Sequence, residues 1–368
     1  DGSLPHPRHH QQLVGRFNPT APDVPVRAEA GFARGRPVYF HTAPAGLPDR
    51  LRLGSMPDNP GELFHEVQNM TLGLLALPVG GWFAWRNWRA RRANPRGAFL
   101  LAGAFAGLGL VGWLLAAHHV PNPADELSLF TGVLGRVLFD GLLLWLAYLA
   151  LEPWVRRTSP ARVIGWNRLL AGRWADPLVG REVLLGTLAG AGVVAVTVAL
   201  RALPAWLGLP PDPRGVWDAT FTEGAGGLVL TAHIGVMVAF RSFFLFVLLR
   251  LLCRREWPAA VVMLALWGVT SGLAHGGGSW GVTAAVGGVY AAARLLTVRT
   301  GLVSFLAFTL AEEVLIYLPV TTATSAWYAG TGGLGLAVVI GLAGYGGWAA
   351  CREKRVRDGD RAGPSGGR

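Results

Sequence analysis

Glu312 and Glu313 stand side by side in the apolar run LAEEVLIY, and adjacent carboxylates in a membrane helix have more chemistry to offer than anything else in this sequence. With an arginine following and histidines facing them from other helices, such a pair could polarise a water for peptide hydrolysis. Here Tyr317 stands where that arginine is expected, His275 is at a neighbouring span end, and no FxxxH or HxxxN companion occurs. The pair therefore reads as a polar contact between helices or as facing a partner, since each ionised group in hydrocarbon costs at least about 2.5–3.5 kcal/mol. Other ionisable groups fall inside apolar runs too. Arg136 and Asp140, four apart, can pair on one face of their own helix. His233 and Arg241, eight apart, share roughly one face and line a polar seam, while Arg201 is close enough to a span end to snorkel.

The remaining candidates are weaker. PHPRHH at Pro5–His10 reads as a solvated cluster before it reads as a metal site. His118 and His119 lie about 100° apart on a helix, poor spacing for one metal, and look like an interfacial cap. No glycine-rich phosphate loop, GxSxG or kinase HRD or DFG run is present, and Gly276–Gly278 reads as a turn. Catalytic, cofactor-binding and metal-ligating residues are accordingly assigned to none of these positions.

The elements that must hold these groups are membrane helices. Hydrophobic residues make up 52%, charged residues 15%, and the mean hydropathy is +0.38, which excludes an ordinary soluble domain. A net charge of +11 would suggest nucleic acid in a soluble protein. The arginines instead cluster at the ends of apolar spans, where topology needs them, and no nucleic-acid partner is expected. Cys253 and Cys351 fall at span ends expected to be cytoplasmic, so reduced thiols follow. The fold class is an all-α polytopic membrane protein: a short extracytoplasmic segment at 1–65, partly disordered, a multi-span domain at 66–351, and a cytoplasmic disordered tail at 352–368. Within the first segment only RPVYFH, at Arg36–His41, is strand-like.

About nine spans are expected, at 69–85, 97–117, 127–151, 183–203, 226–252, 258–275, 280–298, 301–319 and 333–351, several near the lower length limit of about 17 residues. Basic ends (RNWRARR, the 152–181 loop, Arg250 with Arg254 and Arg255, and CREKRVR) alternate with ends carrying Asp125, Glu126, Asp212, Asp218 and Glu223. By the rule that basic loops stay inside, the amino end is outside and the carboxyl end cytoplasmic. Gly103 with Gly107, and Gly186 with Gly190, have the spacing that lets helix backbones approach closely.

The basic loop itself predicts a short surface helix. Ser159 reads as its cap and Pro160 as its first-turn proline. Val163, Trp166, Leu170 and Trp174 recur on one side, and Gly172 with Pro177 sets the stop. Arg156, Arg157, Arg162, Arg168 and Arg173, with Trp166 and Trp174, are then the residues placed to touch the bilayer surface and its anionic head groups.

AHHVP, LALEPWVRR, WNRLLAGRWADPLVGRE, PAWLGLPP and SAWYAG, taken together, resemble the carboxy-terminal membrane region of bacterial, eukaryotic-like serine/threonine protein kinases. The resemblance covers most of 34–350 and is most specific over 149–182. It implies a non-catalytic membrane anchor and candidate sensor in the bacterial cytoplasmic (inner) membrane, following a kinase domain that would hold ATP and Mg. That kinase domain is an expected partner of the basic loop and tail, and the chain is expected to be the later part of something longer. No catalytic or nucleotide-binding residue transfers, because none of the kinase motifs lies in these residues, and the oligomeric state is left open. A reading from another class is a small-solute transporter or channel, with the polar groups of the third, fifth and eighth spans facing one cavity.

Overall fold

The computed structural model describes residues 9–16, 25–33, 36–44, 76–117, 119, 122–207, 224–275, 280–318, 320, 325 and 329–361. Outside them lie Pro5–Arg8 of the histidine cluster, His118, residues 69–75 of the first expected span, the acidic loop with Asp212, Asp218 and Glu223, and Gly276–Gly278. Parts of three of the runs that carry the resemblance, at 117–121, 204–211 and 325–330, lie outside them as well.

The chain is not helical throughout. Strands β1 (His9–Arg16), β2 (Pro25–Ala33) and β3 (Arg36–Pro44) form an antiparallel sheet in the order β1-β2-β3, with an irregularity at Gly31/Phe32. The strand-like run at 36–41 falls in β3. HHQQLVGR and PVRAEAGFA carry too little apolar alternation to announce the other two strands.

Ten helices follow among the described residues. They are α1 (Gly81–Arg89), entered through a π turn at Ala76–Gly80, then α2 (Pro95–Ala116), α3 (Pro123–Thr158), α4 (Ala161–Leu170) and α5 (Pro177–Trp206). After these come α6 (Gly224–Cys253), α7 (Glu256–His275), α8 (Trp280–Thr300), α9 (Leu302–Tyr317) and α10 (Ala329–Arg361). Six are long and apolar enough to cross a membrane: α2, α3, α5 over Pro177–Leu203, α6, α8, and α10 over Ala329–Arg352. Their outer faces carry exposed Phe99, Leu100, Leu114, Leu138, Leu188 and Ile340, the surface that lipid solvates.

Local chemistry sets the helix ends. Asn94 and Asn122 each accept a backbone N–H at 3.1 Å, from Gly97 and Ala124, ahead of prolines at the first helical positions of α2 and α3. Asp176 does the same for α5, accepting from Leu178 at 2.9 Å, so Pro177 opens α5 as well as closing the preceding turn. Gly172 ends α4 in the left-handed region at φ +75°, as its place after Leu170 suggests. The expected Ser159 cap does not form. Its hydroxyl instead meets the Arg250 guanidinium, and α4 begins without a side-chain cap. Nor does Pro153 end α3 at the start of the expected loop. Pro153 has no N–H for the Leu149 carbonyl, and the Asn87 amide donates to that oxygen at 3.0 Å and to Ala150 at 2.9 Å.

At the centre lies α9, which packs on α4, α5, α6, α8 and α10. Sixteen residues make it about 24 Å long, short of the roughly 30 Å hydrocarbon layer, and eleven of the sixteen are buried. Close approach to α5 depends on glycine: a Cβ on Gly186 would stand 2.1 Å from the Ser304 carbonyl, and one on Gly190 2.5 Å from that of Phe308. Gly103 and Gly107 do not repeat this. They are exposed on α2, with nothing within 4 Å of where their Cβ atoms would be, so the same spacing packs no helix among the described residues.

Candidate functional site

Residues Glu312 and Glu313 lie in the middle of α9, and the bundle closes over both, leaving them 1% and 8% exposed. The arginine that their sequence neighbourhood lacks comes from α8. Arg294, itself buried, donates from Nη2 to Glu312 Oε1 at 2.7 Å and from Nη1 to the Ser271 hydroxyl of α7 at 3.2 Å. Its guanidinium carbon sits 5.5 Å from the ring centroid of Tyr290, one turn earlier on α8. Three helices are thereby tied at one point. Arg241 on α6 brings a second positive charge, within electrostatic reach of Glu313, Asp140 and Arg294. Two arginines thus stand with two glutamates. Glu312 Oε2 and Arg294 Nε remain without hydrogen-bond partners among the described residues.

Arg136 and Asp140 pair within α3 at 2.8 Å, on the face their spacing specifies. His233 stacks on Phe105 at 4.0 Å between ring centroids and packs against Gly109 of α2, so it is seated against an aromatic ring and a glycine. Arg201 is half-buried near the far end of α5. His275 is the last residue of α7. No group of three or more metal-ligating side chains occurs among the described residues.

A second polar centre lies at the basic end of the bundle. Glu256, the first residue of α7, receives Arg162 of α4 at 2.8 Å, Arg299 of α8 at 3.2 Å and Arg250 of α6 at 3.6 Å. Burial pushes its carboxyl up, but the Arg162 hydrogen bond and the three positive charges outweigh that and hold it below the ordinary carboxylate range. Of the residues assigned to the membrane surface, Arg162 is thus turned inward, and Trp166 is buried edge-on against Phe240 with centroids 5.3 Å apart. Arg168 pairs with Asp176 at 2.6 Å. Burial opposes ionisation of Asp176 as well, yet Arg168 and the Leu178 N–H keep its carboxyl low. Arg156 pairs with Glu152 and stays exposed, as do Arg157, Arg173 and Trp174.

Two residues that the sequence reading did not assign are structural keys. Arg294 reads from the sequence as a marker of the end of its span, but lies about 7 Å inside the terminal Arg299, one turn beyond Tyr290. Glu182, which reads as part of the basic loop, is buried at the start of α5. Its carboxylate faces the Val303 and Ser304 N–H groups at the amino end of α9, with Oε2 unpartnered among the described residues, in a notch so tight that a Cβ on Gly165 or Gly301 would strike it. A signal was available for each, an ionisable residue inside or directly abutting an apolar run.

Exposed tryptophans ring both ends of the bundle: Trp85, Trp88, Trp174, Trp257 and Trp348 near the arginines, Trp206 and Trp280 at the other end. With the six long apolar helices, they define a helical, multi-pass membrane protein. No protein-family model, curated protein or solved structure matches the chain.

Proposed function

We propose that this chain is the non-catalytic membrane anchor and candidate sensory region of a bacterial serine/threonine protein kinase. In this reading it lies in the cytoplasmic membrane with its basic end toward the cell interior. The observation that carries it is the local pairing of the charges within the apolar spans. Glu312 with Arg294, Arg136 with Asp140 and Glu182 with the start of α9 each have a neighbour of their own, as in a rigid anchor. The link to a kinase rests on the resemblance carried by the runs over 149–182. ATP and Mg would be held by the kinase domain, and Arg157, Arg173 and Trp174 would meet anionic head groups and that domain. Nine crossings, the six together with those expected at 69–85, 258–275 and 301–319, leave the amino end outside and the carboxyl end inside.

Orientation is tested with a single cysteine in place of Arg173, after Cys253 and Cys351 are changed to serine. An impermeant maleimide should label it only in permeabilised cells, and labelling of intact cells overturns the reading. The kinase link is tested by purifying the natively expressed protein from its source membranes. ATP-dependent serine/threonine phosphotransfer should accompany it and be absent from this chain expressed alone.

A small-solute transporter is the second reading, favoured by the position of Arg241 within reach of both Asp140 and Glu313 across α3, α6 and α9. Solute or proton flux into vesicles holding the purified chain, above that of empty vesicles, would decide for it.

A further inference from the structure

Arg136 is an arginine on the outside of a membrane bundle, well within its apolar height. Its side chain is 78% exposed, in a helix with a window of mean hydropathy 1.7, beside exposed Leu138, Phe139 and Leu142. Depth follows from its neighbours. Val137 meets Gly109 of α2, which lies seven residues, or about 10 Å, inside the far end of that helix. From there an arginine would ordinarily snorkel to the nearer surface, helped by the lean of helical side chains toward the amino end. Instead its Nε donates to Asp140, one turn closer to the basic end, which draws the guanidinium toward the middle of the bundle. The two terminal nitrogens have no acceptor among the described residues. Acyl chains provide none, and unsatisfied donors in hydrocarbon are costly.

We propose that this face of α3 is the contact between two copies of the chain, α3 against α3 about a two-fold axis normal to the membrane, with Arg136 of each copy reaching Asp140 of the other. The two charges make the face complementary to a copy of itself. A two-fold pair of copies inserted in the same sense meets through a surface that complements itself, and a cation with an anion one turn away along one stripe is such a surface. Asp140 is 13% exposed, so its carboxylate can be reached from outside. The stripe is also flat. Ser128, Thr131, Gly132 and Gly135 are exposed beside Arg136, and nothing lies within 4 Å of where a Cβ on either glycine would stand, so two backbones can approach closely. His233 and Arg241 feel the charge of Asp140 from inside the bundle, which couples the contact to the buried polar groups. This inference does not depend on the kinase reading.

The test is oxidative cross-linking in native membranes, with Cys253 and Cys351 changed to serine and one cysteine introduced as Gly132→Cys or Gly135→Cys. A band of twice the chain mass is expected at both positions. Leu188→Cys, on the exposed face of α5, should remain monomeric. Adding Arg136→Leu with Asp140→Asn, which leaves no lone charge, should lower the dimer yield at least tenfold with the thermal unfolding midpoint nearly unchanged. If that variant unfolds, Gly132→Leu with Gly135→Leu on the open surface should suppress cross-linking through Ser128→Cys to the same degree. No dimer at either glycine position, equal yield at Leu188, indifference to the substitutions, or a product with a different protein would each overturn the proposal.

Discussion

Glu312 and Glu256 are both held by arginine, and the difference between them shows how this bundle is assembled. Glu312 is closed off in the centre, served by one hydrogen-bonded cation from α8, with one of its oxygens unpartnered. Glu256 is about one-third exposed at the rim and gathers three cations from α4, α6 and α8. Solvent and three alternatives make each rim contact dispensable. In the core a single partner carries everything, because no water can replace it.

That contrast sets the order of expected effects. Arg294→Met should be the most damaging, destabilising the protein by about 3–5 kcal/mol, because it leaves a buried carboxylate without its hydrogen-bonded cation. Unfolding in mixed detergent micelles measures it. Adding Glu312→Leu should recover most of the loss, since an apolar pair of similar volume needs no compensation. If the double variant is as unstable as the single, the core pair is not the lock described here.

The paired glycines sharpen the comparison. Gly186→Ala drives a methyl group against the Ser304 carbonyl, so α5 and α9 must separate, at a cost of about 1–3 kcal/mol. Gly103→Ala meets open space and should be neutral, or stabilising by up to about 1 kcal/mol through helix propensity. Both have glycine four residues further on, and the sequence alone does not separate them. Spacing records that a helix can be approached; whether another helix is there is decided by the tertiary arrangement. The same limit explains most of what the sequence left hidden. Apolar runs bounded by arginines marked the long helices, because length and charge are local properties. Arg294 and Glu182 were visible as charges, but their partners on α9 are distant along the chain. Trp166 carried the mark of a membrane-surface residue, yet its ring is against Phe240, a contact that no periodicity in α4 encodes.

At the rim the effects shrink. Glu256→Gln removes the charge from three contacts that are each worth about 0.2–1 kcal/mol where exposed, with Arg162 the most buried of the three partners. The Glu256 carboxyl titrates below its unfolded value, so its contribution is complete above the ordinary glutamate range and is lost as the pH falls through the lower folded value. Wild-type protein should therefore lose the docking of α4 on acidification below about pH 4.5. The Gln variant should show a smaller change across that window. Trp166 emission reports it, and an identical acid profile in the two proteins would remove Glu256 from the account.

The smallest effect belongs to the opposite end, and its sign is reversed. His119 Nδ1 lies 2.5 Å from Glu126 and Nε2 3.1 Å from the Leu114 carbonyl, bridging the α2–α3 turn in the open. The Glu126 hydrogen bond, then that carbonyl, raises the imidazole above its ordinary value, with burial only slightly opposing. A raised folded value means the contact is complete below about pH 6.5 and lost as the pH rises through the higher folded midpoint. The Trp113 ring is 5.3 Å from the imidazole and can report its charge. The difference in emission between wild-type protein and a Trp113→Phe control should titrate with a midpoint above 6.5, and His119→Gln should abolish that step without moving the unfolding midpoint at pH 8. The two ends then loosen in opposite directions of pH, the arginine end in acid and the histidine turn in base, while the Glu312 core between them keeps the helices together.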